Sequence, residues 1–329
     1  MTEFELIERL FTRPAPGALV GNGDDAAVIA PTAGHAFVVT TDTLIEGRHF
    51  LPALSPEKLG RRAVAVNLSD LAAMGARPRF ALLSLTLPAI DEPWVAAFAR
   101  GLFEALDAHG VELVGGNTTR GPLAIGLTAF GEAPLTVGRP EVLVRSGAQP
   151  GDDVWVSGPL GDAGWACLCL LGEIDAVPTP AQIARYECPE PRVALGLALR
   201  PIASSAIDIS DGLVSEARHL ARASGVAIEI DATRIPTSLA PHLDDVRVGT
   251  AAWRALLATG DAYELLFTAP PGARARIAAV LADQGLVGAR IGRVKVPDGA
   301  PGLVRVLDHD GRDRAVGLIG WDHFARMPA

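Results

Sequence analysis

Cysteine is scarce, a basic stripe is missing, and no apolar run is long enough to cross a bilayer. The 329-residue chain has three cysteines, Cys167, Cys169 and Cys188. They are odd in number, sit in apolar or proline-flanked settings and lack metal-ligand spacing. That excludes a disulfide scaffold and reads as reduced core thiols in a cytoplasmic protein. No hydrophobic stretch approaches the ~20 residues of a membrane span. The opening MTEFELIERLF is acidic and has Phe4, Ile7 and Phe11 at helical spacing, so it is no signal peptide. A net charge of −9 and a pI near 5.3, with no local basic stripe, exclude nucleic acid as a partner. No short-period repeat is present. What remains is a soluble globular composition, 49% hydrophobic and 20% charged, in a chain long enough for two domains.

The acids are clustered. VVTTDTLIEGRH at 38–49 begins as a β-branched strand and breaks into Thr40, Thr41, Asp42 and Thr43. Hydroxyls and a carboxylate at a strand exit are hard oxygen donors, which suit magnesium together with the oxygens of a bound phosphate. Three further stretches repeat the form: GNGDDAAVI at 21–29, NLSDLAAMG at 67–75 and IDISDGL at 207–213. Acid clusters conflict with phosphate binding only until metal ions reverse the local sign.

In chain order, Asp24 and Asp25 precede a short strand at 26–30 and, taken alone, read as a solvated turn. A helix over 56–74 follows, capped by Ser55 and stopped by Gly75 and Pro78. At about 100° per residue, Leu59, Ala63, Val64, Val66, Leu68, Leu71 and Met74 share one face, with Lys58, Arg61, Arg62 and Ser69 opposite. Asn67 and Asp70 lie within the apolar face. A carboxylate there needs a partner: a metal or ligand, or else an arginine such as Arg77 or Arg79. Strand 79–88, a helix from Asp91 to Gly110 and strands around GGNTTRG and 123–130 complete the first half. Paired Gly115 and Gly116 are a turn or an approach for an anion, with Arg120 nearby to read phosphate. The shift GEAPLTVGRPE at 131–141 reads as a linker, giving domains 1–138 and 139–329.

In the second half, strand 153–157 leads through GPLGDAG, a structural strand-to-helix turn without the Walker A lysine. Strand 204–210 carries Asp208 between two isoleucines, and Asp211 starts a helix running to 223. Strand 226–230, helix 250–257, strand 263–267, helix 273–282 and strands 287–294 and 303–307 follow. A hairpin turn at Asp310–Gly311 and a closing GWDHF at 320–324 end the chain. Helices alternating with strands in both halves predict an α/β or α+β architecture.

GDDAAVI, TTDTLIEGRHF, AVNLSDLAAMGARP, GGNTTRG, RSGAQPGD, SSAIDISDGL and GWDHF, in this order over nearly the whole chain, resemble the thiamine-monophosphate kinases. These belong to the aminoimidazole-ribonucleotide-synthetase-like ATP-using superfamily. The resemblance implies a two-domain fold with an N-terminal ATP- and metal-binding domain, whose sheet pairs with a second subunit in a dimer barrel. It also implies a C-terminal α/β domain, with ATP and several magnesium ions in the cleft between the domains. It makes Asp25, Thr40, Thr41, Asp42, Asp70, Asp208 and Asp211 metal ligands. Gly116, Asn117, Arg145 and Ser210 would contact ATP, and His49, Asp261 and Trp321 would lie near thiamine phosphate. Two positions depart from the family pattern. Asn117 replaces an aspartate, so a neutral carbonyl would ligate metal, and Asp261–Ala262 replaces Glu-Asp. The implied activity is ATP-dependent phosphorylation of thiamine monophosphate to the diphosphate by direct in-line transfer, with Asp42 and Asp70 central to catalysis. A homodimer in the cytoplasm is implied as well. The rival readings are another ATP-using ligase or synthetase of the superfamily, a metal-dependent phosphatase, and a non-catalytic binding protein. Selenophosphate synthesis is disfavoured because no cysteine precedes Cys167.

Overall fold

The computed structural model describes residues 2–299 and 301–321. The chain divides into two compact units. One runs up to Leu71 and adds Ala76–Val142; the other takes Ala72–Gly75 and the chain from Leu143 onward.

The first unit opens with α1 (Glu3–Leu10), which Thr2 and Glu5 start through a reciprocal capping box. Then come β1 (His35–Ile45), α2 (Pro56–Ala73), β2 (Arg77–Leu87) and α3 (Glu92–Ala108), followed by β3 (Glu112–Arg120), β4 (Ala124–Thr136) and the two-residue β5 (Arg139–Pro140). Sheet order is β1-β4-β2-β3, with β5 on β4. Only β2 and β3 run parallel, as the intervening α3 crossover requires. Asp91 caps α3, whose stripe Val95, Phe98, Leu102 and Leu106 is buried.

Three readings of this half need correction. Residues 26–30 form no strand; Val28 makes a single bridge with Val20. The stretch read as a linker, 131–141, instead extends β4 to Thr136 and supplies β5. The face of α2 expected to be polar is largely buried too, with Arg62 at 1% and Ser69 at 0% exposure. The reason is α3. A Cβ on Gly60 would fall 2.2 Å from the Phe98 carbonyl oxygen, and one on Gly101 would fall 1.8 Å from that of Glu57. Two glycines thus let the helix backbones nearly touch. Arg62 keeps a polar outlet by donating to the His49 carbonyl oxygen at 3.2 Å.

The second unit contains β6 (Asp153–Val156), α4 (Asp162–Leu170), α5 (Pro180–Glu187), α6 (Val193–Leu199), β7 (Ser205–Asp208) and α7 (Leu213–Ser224). After these come β8 (Ala227–Asp231), α8 (Gly249–Leu257), β9 (Leu265–Ala269), α9 (Arg274–Asp283), β10 (Ala289–Lys295) and β11 (Val304–Leu307). The sheet runs β11-β8-β10-β6-β9-β7 and is antiparallel except for β8 with β11. Its core gathers Val154, Ile207, Leu213, Leu220, Ile228 and Leu266 with neighbouring apolar residues.

Helices α5 and α6 went unread in the sequence, and both carry a partner of one buried acid. Glu264, 1% exposed, meets Arg192 of the α6 N-cap at 2.5 Å and Arg185 of α5 at 3.3 Å, and also accepts from the Ser157 hydroxyl. Asp153 is likewise fully buried between Arg274 (2.5 Å) and Arg290 (3.1 Å). Burial alone would raise its carboxyl, but the two guanidiniums outweigh it and hold the group below the usual range.

The glycine contact gives a direct test. Gly101→Ala is expected to force α2 and α3 apart and lower unfolding stability by about 1–3 kcal/mol, read from denaturant melts. An unchanged midpoint would show that the helices part freely.

Candidate active site

Period two decides what β1 offers. Thr40 and Asp42 point to the side of α2, whereas Thr41 points away. The Thr40 hydroxyl donates to Oδ2 of Asp70, and the Asp42 N–H donates to Oδ1 of Asn67 at 3.1 Å. Asn67 is itself anchored by a 3.0 Å bond to the Ala63 carbonyl oxygen. The two polar residues set within the apolar face of α2 therefore meet the strand exit side by side. Arg79, the alternative partner for Asp70, is instead bonded to Glu132 at 2.8 Å and to Thr32 at 2.9 Å.

Thr41 bonds to the Leu127 carbonyl oxygen at 3.2 Å and to the Thr128 hydroxyl at 3.0 Å, so its side chain does not join Thr40 and Asp42. Asp25 lies exposed in a bend. His49 accepts the Ile45 N–H at Nδ1 over 3.0 Å, which leaves Nε2 to carry the proton of the neutral ring. Gly116 and Asn117 belong to β3 rather than to a turn, with Asn117 exposed opposite Ser84 of β2. A Cβ at Gly116 would lie 1.9 Å from the Leu83 carbonyl oxygen, so strand packing already demands that glycine. Arg120 donates to the Pro88 carbonyl oxygen at 3.3 Å.

In the second unit, Asp208 ends β7 at 5% exposure, and the chain turns through Ser210, Asp211 and Gly212 into α7. A second loop runs alongside. Asp261 donates its N–H to the Ser210 carbonyl oxygen, and Tyr263 to that of Ile209, both at 2.9 Å. Asp261 and Tyr263 hold φ of 68° and 49°, left-handed values that side chains rarely adopt. The Trp321 N–H closes on the Asp211 carbonyl oxygen at 3.1 Å, while its side chain is 44% exposed. The rest of GWDHF, 322–324, lies outside the described residues. Asp208, Ser210, Asp211, Asp261 and Trp321 thus share one backbone-linked corner. Arg145 is exposed, and its charge, after burial, helps lower the pKa of His219.

One acid of this corner was missed. Glu216 in the first turn of α7 is 2% exposed. Its Oε1 accepts the Asp211 N–H at 3.2 Å, and its buried Oε2 has no hydrogen-bond partner. The signal was available, because Glu216 falls on the Leu213, Ala217 and Leu220 stripe just as Asp70 falls on that of α2. Burial first, then the negative charges of Asp211 and Asp208, push its carboxyl from 4.5 to about 8.

The donors in each unit are carboxylates, hydroxyls and an amide carbonyl, a hard oxygen set that matches magnesium rather than a softer metal. The unsatisfied Oε2 of Glu216 fits the same chemistry. Among the described residues, no group of three or more His, Cys, Asp or Glu side chains is placed to hold a metal ion. Bound water and phosphate oxygens would therefore complete any coordination shell, as magnesium commonly requires.

Glu216 also sets a pH dependence. The folded protein retains a proton that the unfolded chain releases above about 4.5, so this contribution is full below that pH and lost by about 8. Metal-free protein is expected to melt at progressively lower temperature across that window, and Glu216→Gln to flatten the slope. Parallel curves for both proteins would refute the assignment.

Comparison with known proteins identifies the family and the fold. Residues 23–133 match the AIR synthase related protein N-terminal domain, and residues 149–300 match the corresponding C-terminal domain. The thiamine-monophosphate kinase of Salmonella typhimurium is 40% identical over 331 residues, covering 98% of each chain. The crystal structure of thiamine-monophosphate kinase from Stenotrophomonas maltophilia superposes with a TM-score of 0.82 at 41% identity, over 95% of this chain and 98% of that one. AaThiL complexed with AMPPCP and TMP superposes with a TM-score of 0.73 at 33% identity, over 90% and 89%. The chain belongs to the thiamine-monophosphate kinase family of AIR synthase related proteins.

Proposed function

We propose that this protein transfers the γ-phosphoryl group of ATP to thiamine monophosphate, giving thiamine diphosphate and ADP. The carrying observation is full-length relationship to thiamine-monophosphate kinases, joined to the Thr40–Asp70 and Asp42–Asn67 contacts between β1 and α2. The acceptor explains why acids rather than bases fill the site. A phosphate monoester loses its second proton near pH 6, so its attacking oxygen is already an anion at neutral pH. No side chain has to remove a proton. What the protein must do is hold two anionic groups in line and keep their charges from repelling.

Asp42 and Asp70 would hold magnesium from the first unit, together with Asp25, Thr40, Thr41 and Asn117; Asp208 and Asp211 would hold it from the second. Bound magnesium would supply the positive charge that screens the phosphoryl oxygens. Asn67 positions Asp42 through its backbone, and Thr40 fixes the rotamer of Asp70. Gly116, Asn117, Arg145 and Ser210 contact ATP in this reading, with the exposed Arg145 guanidinium offered to phosphate. His49, Asp261 and Trp321 serve thiamine phosphate. Trp321 gives an exposed ring for a heteroaromatic base.

The working form is a cytoplasmic homodimer. The side of the first sheet away from Asp70 presents Val39 (54% exposed) and Ile45 (42% exposed), with Phe37, Thr41 and Thr128 between, a flat apolar face suited to a second copy. Val39→Arg is expected to convert the dimer to monomer in sedimentation equilibrium. A dimer that survives the change would place the interface elsewhere.

Asp42→Asn is expected to lower kcat/KM by roughly 100-fold or more, since a ligating carboxylate is lost while the fold is kept. ADP and thiamine diphosphate should form in equal amounts with ATP and magnesium. An unchanged kcat/KM in the variant removes Asp42 from its role, and release of inorganic phosphate without diphosphate would make the protein a phosphatase.

A further inference from the structure

Three side chains converge on the buried carboxylate of Glu264. Arg192 makes a two-pronged bond, with Nε 2.8 Å from Oε2 and Nη2 2.5 Å from Oε1. Arg185 adds a contact at 3.3 Å, and the Ser157 hydroxyl donates as well. The neighbouring turn leaves room for this cluster only because it begins with glycine: a Cβ on Gly158 would fall 2.6 Å from Oε1. Buried ion pairs of this kind seldom add stability over apolar residues of the same size. What a two-pronged guanidinium does supply is a fixed direction.

The segment next to Glu264 is the one that needs fixing. Asp261 and Tyr263 hold φ of 68° and 49°, and neither is a glycine that takes such values freely. A strained backbone of this sort persists only where its surroundings over-determine it. At its leading end, a Cβ on Gly260 would lie 1.7 Å from the Ser210 carbonyl oxygen, and the Asp261 N–H bonds that same oxygen at 2.9 Å. At its trailing end stands Glu264, whose carbonyl oxygen accepts the Ile209 N–H at 2.8 Å. Between them the Tyr263 N–H donates to the Ile209 carbonyl oxygen at 2.9 Å. Asp261 therefore stands on a short strained span that is pinned at both ends.

We propose that Glu264, gripped by Arg192 and Arg185, is a positioning residue for the phosphate acceptor. The grip keeps residues 261–263 in their left-handed conformation and so holds Asp261 at the corner shared with Ser210, Asp211 and Trp321. The inference rests on the kinase reading above, which gives Asp261 to thiamine phosphate. It adds a network that touches neither substrate and acts on one of them through the loop.

Arg192→Lys keeps the buried charge but removes the fork; Arg185→Met removes only the outer, partly exposed guanidinium and leaves the fork intact. Both full-length proteins are compared with the parent by amide hydrogen exchange and by steady-state kinetics with each substrate varied in turn. In Arg192→Lys, the Asp261 and Tyr263 amides are expected to exchange about 10-fold faster or more, while those of β8 keep their parent rate. Its kcat/KM for thiamine monophosphate is expected to fall about 10-fold or more, with the KM for ATP changed less than about 2-fold. Arg185→Met is expected to show the same pattern at about 3-fold, and it decides the matter where the lysine variant does not fold. Parent-like exchange at the two amides, parent-like kinetics toward thiamine monophosphate, or equal losses toward both substrates overturn the positioning role and leave the kinase reading standing. A parent that forms no thiamine diphosphate overturns both.

Discussion

A carboxylate can be buried only if something answers its charge, and this protein answers its buried acids in two ways. Glu264, Asp153, Glu132 and Asp308 are met by guanidiniums: Arg192 and Arg185, Arg274 and Arg290, Arg79, and Arg314. These pairs tie separate elements together. Arg192 and Arg185 draw α6 and α5 to the start of β9, and Arg274 draws α9 to β6. Removing the guanidinium would leave a buried carboxylate whose charge is no longer answered. The second group of acids meets hydroxyl and backbone groups instead. The Thr40 hydroxyl donates to Asp70, the Asp211 N–H donates to Glu216, and Asn67 accepts the backbone N–H of Asp42.

That division separates scaffold from chemistry. A guanidinium beside a carboxylate neutralises it permanently and leaves it a poor metal ligand. A hydroxyl or amide orients the carboxylate while its charge stays available to a cation. The presence of Glu132 explains why Arg79 does not serve Asp70: the acid of β4 sits closer to the arginine of β2, and Thr32 completes that pocket from the loop before β1. Burial would raise the Glu132 carboxyl, yet Thr32 and Arg79 together hold it below its usual range. Asp70 accepts instead from the Thr40 hydroxyl of β1.

Much of this was legible in the sequence because the signal was periodicity. Asn67 and Asp70 could be placed inside an apolar helix face by counting at 100° per residue, and Asp208 could be placed inside a strand by counting in twos. Where the same counting was not applied, Glu216 was missed, although its place on the α7 stripe is as plain. Other misreadings came from neighbours that local sequence does not reveal. Residues 131–136 look like a linker, since Gly, Pro and Glu disfavour strands, yet pairing of Ala133 and Glu132 with β1 keeps them in β4. Arg62 looks solvent-facing, yet it is 1% exposed and donates to the His49 carbonyl oxygen, a partner that helix periodicity does not reveal. Helices α5 and α6 are short, and their role lies in Arg185 and Arg192, whose partner is more than 70 residues away. The glycine pair at 115–116 suggests a turn or an approach for an anion, because glycine usually marks such places. Here the missing Cβ at Gly116 lets two parallel strands pair across Leu83.

The arrangement also ties stability to ligand. Holding Glu216 beside Asp208 and Asp211 works against the empty fold, as its carboxyl displaced to about 8 records. A cation that the proposed kinase holds at Asp208 and Asp211 binds the folded chain and not the unfolded one, so it stabilises the fold by mass action. An enzyme that has to bring two phosphate anions together benefits from this coupling. The same negative charge that burdens the empty site draws in the cations that make the encounter of the anions possible. Asn117 fits that balance from the other side. Exposed on β3 and neutral, it offers an oxygen without adding a charge to a chain already at −9. In the proposed kinase, cation affinity would then fall more heavily on Asp42 and Asp70, which Asn67 and Thr40 contact.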